Sequence, residues 1–147
     1  SKKPNQNLGA SIGKKFKVKK KKMYLDTVGF FIRHNNFDTI RFRINIQELK
    51  QGIPASFAHQ KEIIVELTNQ KNGWISVDLS PYAIVMQKDF VASVEWIYSS
   101  QEGKYLQMPI AMPVIGSTHY YRYGSQNKWK RFRGMSSAIY LKTKVEE

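Results

Sequence analysis

The chain has no cysteine. This excludes a disulfide framework, a thiol nucleophile and any cysteine-based zinc site. Long apolar runs are missing too: none approaches the roughly 20 residues that a membrane-crossing helix needs. No secretory signal pattern is visible. The nine glycines are isolated at turn positions, so there is no Gly-rich phosphate loop and nucleotide hydrolysis loses its usual support. Only three histidines are present, His34, His59 and His119. None sits in a nucleophile-elbow pattern, and no two have the spacing of a metal pair. The sequence therefore points to no catalytic residue, no metal and no cofactor.

What is present is a globular composition. The 147 residues are 41% hydrophobic and 13% aromatic, with eight Phe, eight Tyr and three Trp. That length suits one domain, and folding then buries roughly 68–70% of the unfolded chain's surface. Aromatic and β-branched residues favour the pleated, half-buried surface of a strand.

The hydrophobic period is two along most of the chain. Residues 1–12 read as a loose lead-in, and residues 13–147 as a single domain. In Lys15-Phe16-Lys17-Val18-Lys19, Phe16 and Val18 share one face and three lysines the other. Tyr24 to Arg33 is apolar on both faces, which places it centrally. Thr39 to Ile46 alternates four apolar residues with Thr39, Arg41, Arg43 and Asn45, the pattern of a half-buried antiparallel strand. Gln51-Gly52-Ile53-Pro54 breaks that strand and opens a loop over residues 50–60. Asn72-Gly73 predicts a hairpin turn between strands at Glu62–Leu67 and Trp74–Leu79. Further strands are expected at Phe90–Tyr98, at Lys104–Met112 as a proline-weakened edge, around Tyr120–Tyr123 and at Ser137–Lys144. About nine or ten strands and no helix indicate an all-β, antiparallel, jelly-roll-like β-sandwich.

The net charge of +13 is unevenly placed. Nine lysines fall in the first 22 residues with no acid among them; the remaining 125 residues hold 15 basic and 11 acidic side chains. Lys15, Lys17, Lys19 and Lys21 are the candidate polyanion-binding residues of this segment. The plainer reading is that they keep strand edges apart.

The stretches Val28–Ile32, Phe42–Ile46, Gly73–Ser80, Asp89–Trp96 and Tyr121–Trp129, in that order and spacing, resemble an uncharacterised domain of Bacteroidetes cell-envelope proteins. That domain is often C-terminal to a carboxypeptidase-regulatory-like domain. The resemblance covers residues 9–142. It implies an extracytoplasmic β-sandwich, in the periplasm or on the cell surface, with no catalytic residues to carry over.

The most suggestive local feature is aromatic and basic. Tyr120, Tyr123 and Trp129 lie among Arg122, Lys128 and Arg131. Flat rings stack on sugars or bases, and cations bind phosphates, sulfates or uronates. In a regular strand Tyr121 points opposite to Tyr120 and Arg122, so at least one ring of this run is expected to be buried. For carboxylate-dependent hydrolysis the best pair is Asp78 and Glu95, each inside a strand pattern. The competing expectation is that Glu95 pairs with Arg43 to support structure. Three functions follow. The first is a non-catalytic envelope module binding a glycan or a protein. The second is a nucleic-acid or other polyanion binder. The third is a glycan hydrolase.

Overall fold

A computed structural model describes residues 8–19, 21–100, 103–124 and 127–145. Thirteen strands appear among them, three of only two residues, and the only helical element is a 3-10 turn at Ser80–Tyr82. In chain order the strands are β1 (Ser11–Phe16), β2 (Met23–Ile32), β3 (Thr39–Lys50), β4 (Ile53–Phe57), β5 (Ile63–Thr68), β6 (Gly73–Asp78) and β7 (Val85–Met86). They continue as β8 (Phe90–Ser99), β9 (Ile110–Ala111), β10 (Thr118–Arg122), β11 (Lys130–Arg133), β12 (Ser136–Ser137) and β13 (Ile139–Val145).

Every pairing is antiparallel. The larger, seven-stranded sheet runs β11-β10-β1-β8-β3-β4, with β5 also paired to β3. The smaller runs β13-β2-β6, with β7 also on β2. β9 and β12 form a separate short pair. The all-β, two-sheet expectation is met.

The core lies between the two main sheets, and alternation decides who enters it. From β3 come Ile40, Phe42, Ile44 and Ile46, and from β8 come Phe90, Ala92, Val94 and Trp96. Val28, Phe30 and Ile32 of β2 face them, with Ile75 and Ile139 alongside. Phe30 and Phe42 meet edge to face across the sheets, ring centroids 5.1 Å apart, the arrangement the ring quadrupole favours. On the far side of the smaller sheet, the Tyr140 ring lies where a side chain at Gly29 would stand.

Several local expectations change. The first strand begins at Ser11, not after residue 12, and the Gly9 amide already donates to the Trp96 carbonyl. The lead-in therefore gives way to the central sheet within the segment read as loose; residues 1–7 lie outside the described residues. β1 stops at Phe16, although Phe16 and Val18 do pack on the core side as expected. Asn72-Gly73 is not a hairpin turn: β5 pairs β3, whereas β6 pairs β2 in the other sheet. The segment is instead an inter-sheet corner. There the Asn72 side chain accepts from the His34 amide and the Asn35 side chain donates to the Gln70 carbonyl. The true two-residue hairpin is Gln51-Gly52, with φ of 55° and 78°, flanked by the Lys50–Ile53 pair. Positive φ at both central positions matches the twist of the strands it joins. Residues 53–57 thus form β4 rather than loop. The edge strand expected at Lys104–Met112 reduces to an Arg33–Gln107 bridge and β9.

His119 is inside the fold, at 2% exposure. Ser137 Oγ donates to the Gly13 carbonyl at 2.7 Å and lies 2.6 Å from His119 Nδ1. The hydroxyl's one proton is committed, so Nδ1 must carry the proton that bridges to it. Burial lowers the pKa of this imidazole from 6.5. The unfolded chain therefore binds more protons than the folded one just below pH 6.5. Stability is expected to fall as pH drops through that window. Thermal midpoints measured from pH 8 to pH 5 should decline in the parent and flatten in His119→Gln; equal slopes would refute this role. Asp78, whose carboxylate Ser80 holds below 3.8, acts only at lower pH.

Candidate functional site

The face of the larger sheet turned away from the core is polar and largely enclosed. Strand register arranges it in rows. Arg43, Glu95, Ser11 and Arg122 are successive cross-strand neighbours on β3, β8, β1 and β10. Asn45, Ser93, Gly13, Tyr120 and Arg131 form the next row, ending on β11. The β3–β4 turn comes from the opposite edge to meet this second row. Tyr120 Oη donates to the Gly52 carbonyl at 2.8 Å, and the Arg131 guanidinium lies beside it at 3.4 Å. The sheet must curl for its two edges to meet, which is why Asn45 is only 2% and Ser93 only 1% exposed. A side chain at Gly13 would press on Val91 and Ser93.

Beside the turn is an open cleft of about 420 Å³, lined among others by Arg43, Asn45, Phe57, His59, Glu95 and Arg122. Glu95 is at its floor. Its Oε1 accepts from Arg43 Nη1 at 3.1 Å and from Asn45 Nδ2 at 3.3 Å. Arg43 Nη2 reaches Glu62 at 3.1 Å on the rim. Across the sheet, the Arg122 guanidinium stacks 4.4 Å from the Trp129 ring centroid. Burial lowers its pKa and the Glu95 charge raises it; an arginine stays protonated under both influences. His59 accepts from the Ile46 amide through Nε2, leaving Nδ1–H to donate to the Lys61 carbonyl at 2.8 Å. Both ring nitrogens are thus engaged by the backbone, which gives the imidazole a structural role. Phe57 stands at the cleft wall, 58% exposed.

Unmet hydrogen-bonding capacity concentrates on this face. Among the described residues, six buried side-chain polar atoms have no partner within the protein, and five of them are Ser11 Oγ, Arg43 Nε, Gln47 Oε1, Ser93 Oγ and Arg122 Nε. Buried polar groups are nearly always satisfied, and two of these five belong to the guanidinium groups that flank Glu95.

The sequence candidates are partly brought together. Tyr120, Arg122, Trp129 and Arg131 meet around the enclosed face, with Tyr120 and Trp129 rings 6.5 Å apart and perpendicular. Tyr120 is buried and its hydroxyl is engaged, so it supports the face and offers no ring to a ligand; burial raises its pKa. Tyr121 points the opposite way, as expected. Tyr123 and Lys128 are exposed beyond the end of β10. Of the lysines, Lys15 is half-buried at the end of β1, 3.9 Å from Asp89, while Lys17, Lys19 and Lys21 lie in the following connection. Lys2, Lys3 and Lys20 lie outside the described residues.

Glu95 pairs with Arg43 as expected. The Asp78–Glu95 pair does not form a site. Asp78 is on β6 of the smaller sheet, exposed, with its carboxylate accepting from the Ser80 amide and hydroxyl. The two carboxylates stand on opposite outer faces of the sandwich. Sequence reasoning missed Phe57, because β4 was read as loop; His59 lies in the connection after β4 and stands in no motif that would have marked it.

No family model matches this chain, and no curated protein matches it in sequence. Among solved structures it is similar to the cysteine protease and lectin-like domains of Cwp84, a surface layer associated protein of Clostridium difficile, with a TM-score of 0.69 at 14% identity. The match covers 93% of this chain and 32% of that one. The chain thus spans about a third of the solved chain, and at this identity the likeness is one of fold.

Proposed function

We propose that the protein is a non-catalytic, extracytoplasmic binding module that takes a glycan in the Arg43–Glu95–Arg122 cleft. The observation that carries this reading is the pair of unpartnered guanidinium Nε–H groups beside a fixed carboxylate. Sugar hydroxyls both donate and accept, so arginine donors next to a glutamate acceptor suit them. Phe57 supplies an exposed apolar wall for the C–H face of a ring. A few oriented polar groups beside apolar surface are the usual make-up of a small-ligand site. The fold likeness to a bacterial surface protein with a lectin-like domain supports the same reading and the extracytoplasmic location.

The absence of catalysis is part of the proposal. Glycoside hydrolysis needs one carboxyl group with a proton to give. Both carboxylates at the cleft, Glu95 and Glu62, are committed to the same Arg43 guanidinium, and neither is left free to attend a scissile bond.

A glycan array run beside a nucleic-acid binding assay at two salt concentrations tests the proposal. Phe57→Ala is expected to weaken glycan binding about tenfold, near 1.4 kcal/mol, with an unchanged melting temperature, because the ring is mostly exposed. Arg122→Gln should weaken it at least as much. Binding confined to nucleic acid, falling steeply with salt, would replace this reading with the polyanion one.

A further inference from the structure

The third row of the same polar face carries a separate feature. Thr118 pairs Arg133, and Lys15, one residue on from the Lys14–His119 pair, falls beside Thr118. Side chains of one row point to one face, so Lys15 and Arg133 flank Thr118. Lys17 joins them at the rim of a hollow of about 340 Å³ that Ser117 and the turn glycines Gly116 and Gly134 complete. Side chains built at those two glycines would meet nothing within 4 Å, so the hollow is open there.

Two independent observations point to an anion. The first is charge. Three cations converge, and the one ion pair among them is Lys15 with Asp89, at 3.9 Å. The other oxygen of Asp89 is taken by the Val18 amide. Among the described residues, neither Lys17 nor Arg133 has an ion-pair partner. The second is Ser117 Oγ, the sixth buried polar atom without a partner. Of the six, only Ser117 Oγ belongs to a residue that lines this hollow.

We infer that this hollow is a second binding site, for a tetrahedral oxyanion: a sulfate or phosphate group carried on a polysaccharide. Three cations exceed what one carboxylate would neutralise. A tetrahedral group presents oxygens in enough directions to meet Lys15, Lys17, Arg133 and the Ser117 hydroxyl together. Nucleic acid fits less well, because single strands are held by stacking on aromatic rings, and the hollow is lined by none. The site does not depend on the glycan cleft. Four strand steps on β10 separate Thr118 from Arg122, about 13 Å, and the β3–β4 turn contacts Tyr120 between them.

The test uses the whole chain. Amide chemical shifts are followed by NMR as sodium sulfate, then sodium phosphate, replaces sodium chloride at constant ionic strength. Saturating shifts are expected at Gly116, Ser117, Thr118 and Gly134 with either oxyanion. Dextran sulfate should bind at least tenfold more tightly than dextran, and phosphorylated dextran is compared in parallel to rank the two sources. The double variant Lys17→Gln/Arg133→Gln alters exposed side chains and should keep its melting temperature while losing at least tenfold in dextran sulfate affinity. The charge-matched control Lys71→Gln/Lys142→Gln, at exposed positions outside both hollows, should leave that affinity unchanged. Oxyanion shifts no larger than those of chloride, or a double variant that binds dextran sulfate as the parent does, would overturn the inference. Single-stranded DNA binding as tightly as dextran sulfate, with loss in the same double variant, would overturn the polysaccharide assignment.

Discussion

Phe42→Ala is expected to destabilise the fold by about 3–5 kcal/mol, the range for emptying a fully buried phenylalanine site. Phe42 is wholly buried on the longest strand, β3, and touches Phe30 across the two sheets. Its loss removes the transfer energy of the ring and leaves a cavity that close-packed β-branched neighbours fill only in part. The edge-to-face contact adds about 0.5–1.5 kcal/mol of its own. At this chain length each kcal/mol shifts the melting temperature by roughly 2–4 °C. Calorimetry should therefore show a fall of about 10 °C, and Phe42→Leu a smaller one. A fall under about 3 °C would mean that the sheets do not pack as described.

Glu95→Ala is expected to cost about 3 kcal/mol, at the lower end for breaking a buried ion pair. Glu95 is 6% exposed and accepts from two residues while facing Arg122 in the same row. Removing it leaves Asn45 and part of Arg43 without an acceptor. The cost stays at the lower end because Arg43 is partly exposed and keeps Glu62. Glu95→Gln retains an acceptor and should cost less, yet it removes the charge beside both guanidinium groups. Urea unfolding separates the two variants, and the same proteins used in the glycan assay should both bind weakly. A Glu95→Ala variant as stable as the parent would show that the row is not an energetic unit. A Glu95→Gln variant that binds glycan normally would move the ligand elsewhere.

The role of these residues illustrates how far alternation reads. In Thr39 to Ile46 the pattern says which side chains face away from the core, and Arg41, Arg43 and Asn45 do so. It does not say that the far side is wet. Asn45 is buried because the β3–β4 turn lies against Tyr120 and Arg131, 68 and 79 residues further along the chain. No window of the sequence contains that contact. The turn signals show the same limit. Asn72-Gly73 has the better hairpin composition, but Gln51-Gly52 is the hairpin, since strands 63–68 and 73–78 each found a better-matched apolar face in a different sheet. Their half-buried patterns are equally compatible with either partner.

Tyr98 adds a local case. The alternation from Phe90 places it with Trp96 on the core face. An irregularity in the register beside Arg41 and Phe42 sets it opposite Arg41 instead, where the guanidinium lies 4.8 Å from its ring centroid. One extra residue on one strand reverses the phase of everything beyond it.

What the sequence by itself determined is the class of structure: all-β, antiparallel, free of disulfides, with its apolar residues at period two and its charge gathered near the start. These are local properties, set by side-chain size, branching and the geometry of the extended chain. It also named Tyr120, Arg122, Trp129 and Arg131, and the Arg43–Glu95 pair, without relating the two groups. Only the tertiary structure joined them, by running β1 between β8 and β10 so that Ser11 stands between Glu95 and Arg122. The same strand carries Lys15 to Thr118 and Arg133. Sheet order is a long-range choice among faces of similar hydrophobicity, and it is sheet order that brought Arg43 near Arg122 and Lys15 near Arg133 in two hollows.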